Sequence, residues 1–190
     1  VAEQWHLSRV CSESAWNRAT GTGVDVAVID TGVACADDGG FTKGTDLHGT
    51  PCVAGWNFVT DDDKPWDDHG HGSHVAGTIA QTTNNGVGTA GLAFGAALMP
   101  VKVLAKNGSG SNAQVADGIR WAADHGAQVI NLSLGGPFPS SVVGNAVKYA
   151  QKKGVLVVAA AGNSGRSVGY PAGFPGVIAV SASDRNDGLG

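Results

Sequence analysis

Three of the six histidines, His69, His71 and His74, lie within one run, Asp68-His-Gly-His-Gly-Ser-His-Val-Ala-Gly-Thr78. Glycine on either side of His71 lets other backbone come close and leaves the ring room to work. General-base chemistry needs a neutral imidazole held by an acid on one nitrogen and offering the other to a nucleophile. His71 is the candidate for that role; His69 and His74 read as structural or surface residues. Asp30 directly follows an apolar run, and Thr31-Gly32 turns the chain away. An acid placed there is poorly solvated and needs a partner such as an imidazole N–H. The alternative is an Asp that only caps the next turn.

Two later segments suit acyl transfer. The run Val155–Val158 leads into Ala159-Ala-Ala-Gly-Asn-Ser-Gly165. That order presents the Asn163 amide at the carboxyl end of a strand, where an oxyanion donor would stand. Asn131-Leu-Ser-Leu-Gly-Gly136 likewise ends a strand in glycines, so its backbone could pair with an extended peptide. Alone, each is a turn signal. A rival chemistry is metal binding: His69-x-His71-x-Ser73-His74 is close to the H-x-H-x-D-H zinc pattern of metallo-β-lactamase-like hydrolases, with serine in place of the acid.

The elements that must position these residues alternate. Short apolar runs at Val24–Ile29, Leu98–Leu104, Val129–Leu134, Val155–Ala160 and Val177–Ser181 read as buried strands. Between them, Val115, Ile119 and Ala122 fall at helical spacing after the capping candidates Ser111-Asn112. Val143, Val147 and Ala150 repeat the pattern, with Gly154 as a stop. Val75 and Ile79 mark a third helix, opening near His71, whose Ala76, Gly77 and Ala80 allow tight packing. This alternation predicts an α/β fold, three layers around a mainly parallel sheet, with functional residues at the carboxyl ends of strands.

Composition narrows the classes. The chain has 190 residues, 42% of them apolar and 15% charged, with 12 Lys and Arg against 16 Asp and Glu. That supports a core and argues against disorder. No basic face points to nucleic acid, and no apolar run approaches a membrane span. The excess is in glycine, with 30 positions and no collagen period, so it must serve turns and close approaches. Of the three cysteines, Cys35 and Cys52 bracket a Gly- and Asp-rich loop and are the favoured disulfide, with Cys11 left over. Three free thiols is the alternative.

Taken in order, DTG from Asp30, HGSHVAGT from His71, NLSLGG from Asn131 and AAGNSG from Ala160 resemble the subtilisin-like serine protease family, the subtilases, over essentially the whole chain. Gly55-Trp-Asn-Phe-Val59 is nearest to the thermitase-like branch. The resemblance implies that Asp30 is the triad acid, His71 the base and Asn163 the side-chain oxyanion donor. It implies that Ser133-Leu134-Gly135 and Gly108-Ser109-Gly110 sandwich the substrate backbone. Ala160, Ala161, Gly162 and Gly169 would line the pocket for a large apolar or aromatic side chain before the scissile bond, and Tyr170–Pro171 would be cis. A structural calcium would be held by Gln4, Asp46, Asn85, Val87 and Thr89, the last two through carbonyls. Asp61, Asp62, Asp63 and Asp67 read either as a second site or as a solvated acidic loop.

The family's Gly-Thr-Ser-Met-Ala nucleophile motif does not occur in these residues. The expectation is therefore that residues 1–190 are the N-terminal portion of a peptidase domain whose serine lies beyond Gly190, inactive alone. The complete protein would be a secreted, monomeric serine endopeptidase acting on polypeptides, its remaining C-terminal part a partner of this chain. A non-catalytic peptide-binding remnant is the alternative.

Overall fold

The structure, a computed structural model, describes residues 4–165 and 167–189. Six strands form one sheet: β1 (Asp25–Asp30), β2 (Trp56–Asn57), β3 (Ala97–Lys102), β4 (Val129–Leu132), β5 (Leu156–Ala160) and β6 (Ile178–Val180). Their order is β2-β3-β1-β4-β5-β6, and every pair is parallel. The connections leave β1 first toward β3 and then toward β4, so the carboxyl ends of β3, β1 and β4 flank the point where the winding reverses. Crevices at that point are where open α/β sheets bind ligands.

The period-2 alternation of β1 decides which residue faces which layer. Ala27 and Ile29 pack with α4 (Asn112–Asp124) and α5 (Ser141–Lys152) in the larger core. Val26 and Val28 pack on the other face with Ala76 and Ala80 of α3 (His71–Ala80). Asp30 continues the second set, so the acid that ends β1 emerges toward α3. Lys102 ends β3 in register with it. Strand alternation alone puts both charged side chains on the α3 face.

Helix starts follow their capping chemistry. Ser111 accepts from the Gln114 backbone N–H at 3.2 Å while the Gln114 side chain accepts from the Ser111 N–H at 2.9 Å, a reciprocal capping box. Helix α5 ends before Gly154, which takes φ +84°. In α3 the small residues carry the sheet contact, and Val75 and Ile79 are only partly buried. Two short helices precede β1, α1 (Trp5–Arg9) and α2 (Ser12–Trp16). They are pinned by Gln4, which exchanges two hydrogen bonds with Ala90, and by the Trp16 indole on the Leu92 carbonyl.

One strand expectation needs correction. Burial on both faces holds for β1 and β3, but Ile178, Ala179 and Val180 of β6 are all exposed, as are Leu156 and Ala160 of β5. Only the face of β5 that carries Val157 and Ala159 is covered, by α5. The apolar run records the strand, not what lies over it. Cys35 and Cys52 are joined, and Cys11 is free and exposed.

Candidate active site

His71 is the first residue of α3, and two glycines explain how it reaches Asp30. Gly70 takes φ +101° at the helix start, a conformation that favours glycine. At Gly72 a Cβ would lie 2.1 Å from the Gly32 carbonyl and 3.1 Å from Asp30 Cβ, so any side chain would push the helix off the end of β1. With glycine there, His71 Nδ1 lies 2.7 Å from Asp30 Oδ1. The Asp30 side chain is 0% exposed and that of His71 44%. A buried carboxylate therefore holds one imidazole nitrogen, and the rest of the ring reaches solvent. Asp30 Oδ1 also accepts from the Thr31 N–H at 2.7 Å, while Oδ2 is buried without a partner. The acid does more than cap the turn.

The loop that delivers His71 is organised by Asp67. Its Oδ1 accepts from the N–H groups of His69 and Gly70 and from the Thr31 hydroxyl, and its Oδ2 accepts from the Ser73 N–H. Half-burial pushes this carboxyl up, but the hydrogen bonds from Gly70, Ser73 and His69 outweigh it and hold it below the usual carboxylate range. Asp67 is thus not a solvated loop residue: its carboxylate accepts from four groups of the chain itself. Asp62 is engaged in its own turn, accepting from Lys64 N–H and Thr60 Oγ1. Lys102 completes the surroundings with an ion pair to Asp68 at 2.7 Å.

A cleft of about 540 Å³ opens beside His71. Gly108, Ser109 and Gly110 line one side and Ser133, Leu134 and Gly135 the other. Among the described residues no backbone hydrogen bond occupies Ser133, Leu134 or Gly135, whereas Gly136 is paired with Tyr170. The free edge therefore stops at Gly135. Leu104, Val115, Val143 and Phe174 add apolar side chains to the cleft lining.

Asn163, Ala160, Ala161, Gly162 and Gly169 do not line this cleft. Asn163 is exposed beyond β5. Ala161 and Gly169 are brought together, the Gly169 N–H donating to the Ala161 carbonyl at 2.8 Å, and the Tyr170–Pro171 peptide that follows is cis. His69, read from sequence as structural or surface, does line the cleft. Its Nδ1 accepts from the His71 N–H at 3.3 Å, which leaves Nε2 as the proton-bearing nitrogen, on the side of Gly108. No local pattern signals that placement; it depends on where the 104–110 segment passes. His74 is exposed on α3. His71 is committed to Asp30 and His74 does not line the cleft, so the zinc-site reading is left with one of its three histidines. Among the described residues no three His, Cys, Asp or Glu side chains are grouped to hold a metal.

Of the five residues read as calcium ligands, Asp46, Asn85 and Thr89 meet directly, and Val87 donates its N–H to Asn85 Oδ1. Asp46 Oδ1 accepts from the Asn85 amide at 2.7 Å and Oδ2 from the Thr89 N–H at 3.0 Å. Gln4 sits on the adjacent Ala90. A Cβ on Gly88 would come within 2.2 Å of Asp46 Oδ2, so the loop closes over the carboxylate only with glycine there. One carboxylate with amide and carbonyl oxygens is a donor set suited to calcium.

A model of the subtilase family matches residues 21–189. Thermitase from Thermoactinomyces vulgaris is 44% identical over 187 residues, covering 98% of this chain and 64% of that protein. Subtilisin Savinase from Lederbergia lenta is 46% identical over 185 residues, covering 96% and 64%. Among solved structures, sphericase superposes with a TM-score of 0.75 at 39% identity, over 86% of this chain and 54% of that one. The chain thus spans 64% of the length of thermitase and of subtilisin Savinase, and 54% of that of sphericase. It belongs to the subtilase family.

Proposed function

We propose that this chain supplies the acid, the base and the substrate-pairing strands of a serine endopeptidase, with the nucleophilic serine carried by a segment beyond Gly190. The observation that carries the reading is the 2.7 Å contact between His71 Nδ1 and buried Asp30, at the edge of a cleft with a free strand edge at Ser133–Gly135. Asp30 holds the imidazole in the tautomer with Nδ1 protonated. His71 Nε2 then takes the serine hydroxyl proton as its oxygen attacks the peptide carbonyl, and returns it to the leaving amine. Water repeats the sequence on the acyl-enzyme. Asn163, exposed and unencumbered, serves with a backbone N–H as oxyanion donor. Peptide substrate adds as a strand between Gly108–Gly110 and Ser133–Gly135, and Ala160–Gly162 with Gly169 receive its large apolar side chain.

Calcium is the proposed resident metal, held by Gln4, Asp46, Asn85 and the carbonyls of Val87 and Thr89. It would tie the N-terminal segment to the loop after α3 and take no part in turnover. The disulfide fits an oxidising compartment and hence secretion. Among the described residues no helix is long and apolar enough to cross a membrane.

The test is treatment of the natural protein with a serine-directed phosphonylating reagent, followed by peptide mapping. Modification of one serine outside residues 1–190, with loss of peptidase activity, is the expected result. The alternative is a peptide-binding role without turnover. Peptide binding without any modified serine would establish that role instead.

A further inference from the structure

Lys102 is 3% exposed, and a lysine is seldom that deep unless every donor is used. All three ammonium hydrogens have an acceptor: the Thr31 carbonyl at 2.6 Å, the Leu104 carbonyl at 2.8 Å and Asp68 Oδ1 at 2.7 Å. These acceptors belong to three separate segments that meet at the site. Thr31 follows the acid. Asp68 lies in the loop that delivers His71. Leu104 is the first residue of the cleft wall that continues to Gly110.

Other bonds also join these segments without the lysine. The Asp30 carbonyl accepts from the N–H groups of Val103 and Leu104, joining β1 to the start of the wall. Thr31 Oγ1 donates to Asp67. Asp68 has no other side-chain hydrogen bond among the described residues, so Lys102 holds its carboxylate and adds to the hold that Asp67 has on the same loop. A hydrophobic side chain of similar length would avoid the desolvation of a buried cation, which commonly outweighs the attraction it gains. It could not bridge three oxygen acceptors.

We infer that Lys102 is a positioning residue, which clamps the Asp68–His71 loop and the Leu104 wall onto the end of β1 and so sets the His71–Asp30 contact. The kinetic part of this inference rests on the proposed peptidase reading; the geometric part does not. Displacing a catalytic group by about 1 Å can cost about 10²-fold in rate.

The experiment uses the full-length protein with ¹⁵N-labelled histidine, and the variants Lys102→Met and Asp68→Asn. The His71 Nδ1–H, hydrogen-bonded to a buried carboxylate, gives a far-downfield proton resonance, assigned by its loss in Asp30→Asn. In Lys102→Met this resonance should vanish through exchange with water. On a peptide substrate kcat should fall about ten- to a hundredfold while KM moves far less. Asp68→Asn keeps an acceptor oxygen and should lose part of the same signal and rate. A lowered melting temperature with an unchanged resonance and kcat in both variants would show a merely structural lysine and overturn the inference. So would a loss confined to KM, or an unfolded Lys102→Met beside a wild-type Asp68→Asn. If no form turns over peptide yet the resonance responds as described, the peptidase reading fails and the positioning role stands.

Discussion

The Thr31 hydroxyl donates to Asp67 Oδ1 at 2.9 Å and accepts from the Gly72 N–H at 2.9 Å, so one side chain links the turn after the acid to the first turn of the helix that carries the base. Asp67 is the hub of that link, with four donors on its two oxygens. Because these bonds depress its pKa in the folded chain, its contribution to stability is present above the unfolded carboxylate value, about 3.9, and is lost as pH falls through the lower folded value. Asp67→Asn should therefore lower the melting temperature at neutral pH. The gap to wild type should narrow progressively in acid, below about pH 4. Melting curves across that range check it; a gap independent of pH would mean that the charge of Asp67 contributes nothing.

Asp30 fixes the orientation and tautomer of His71. In Asp30→Asn the carboxamide preserves shape, but if its N–H₂ faces Nδ1 the imidazole must carry its proton on Nε2, the nitrogen meant to accept one. In other serine protease triads this change costs about 10⁴-fold in kcat. The expected outcome in the complete protein is a loss of that order with the fold retained by circular dichroism. Unchanged turnover would remove Asp30 from the mechanism.

The features legible in sequence were those encoded by local rules. The apolar run ending at Asp30 and the glycines around His71 marked two residues that the structure brings into contact, because a strand terminus and a close helix approach each demand particular residue types. Ser111 before a helical period marked the start of α4 for the same reason. What stayed hidden depends on partners far along the chain. Lys102 reads as one polar position in LMPVKVL, and its burial becomes visible only when Thr31, Asp68 and Leu104 converge on it. His69 became a cleft residue only because Gly108 passes beside it. The exposure of β6 is equally silent, since an apolar strand looks the same whether covered or bare. Helices α1 and α2, at five residues each, are too short to show a period.

Asn163 lets its proposed catalytic role be tested apart from stability. It is exposed, and among the described residues its side chain makes no hydrogen bond, so truncation removes nothing the fold uses. Asn163→Ala should leave the melting temperature within about a degree of wild type, as for surface substitutions generally. If Asn163 is the oxyanion donor, kcat should fall by about 10²- to 10³-fold with KM little changed. Equal kcat in the two proteins would assign the oxyanion site elsewhere.

His69 presents Nε2–H into the cleft beside Gly108, next to the base but without contact to Asp30. A donor so placed acts on bound substrate rather than on proton transfer. His69→Ala should therefore raise KM several-fold on peptides with a hydrogen-bond acceptor side chain near the scissile bond, and much less on apolar ones. A kcat loss equal on all substrates would show instead that His69 works through His71, whose N–H it accepts.

The Asp46 loop gives the metal proposal its own measurement. A ligand that binds only the folded form at a hundredfold its dissociation constant adds about 2.7 kcal/mol of stability. Calcium should raise the melting temperature of the wild-type chain, and chelation by EGTA should reverse the gain. Asp46→Ala removes the cluster's carboxylate, and with it two hydrogen bonds that the loop uses without metal. The variant should thus melt lower than wild type even in EGTA and, in addition, lose the calcium-dependent increment. A wild-type melt insensitive to both calcium and EGTA would leave Asp46 and Asn85 as a loop clasp held by hydrogen bonds alone.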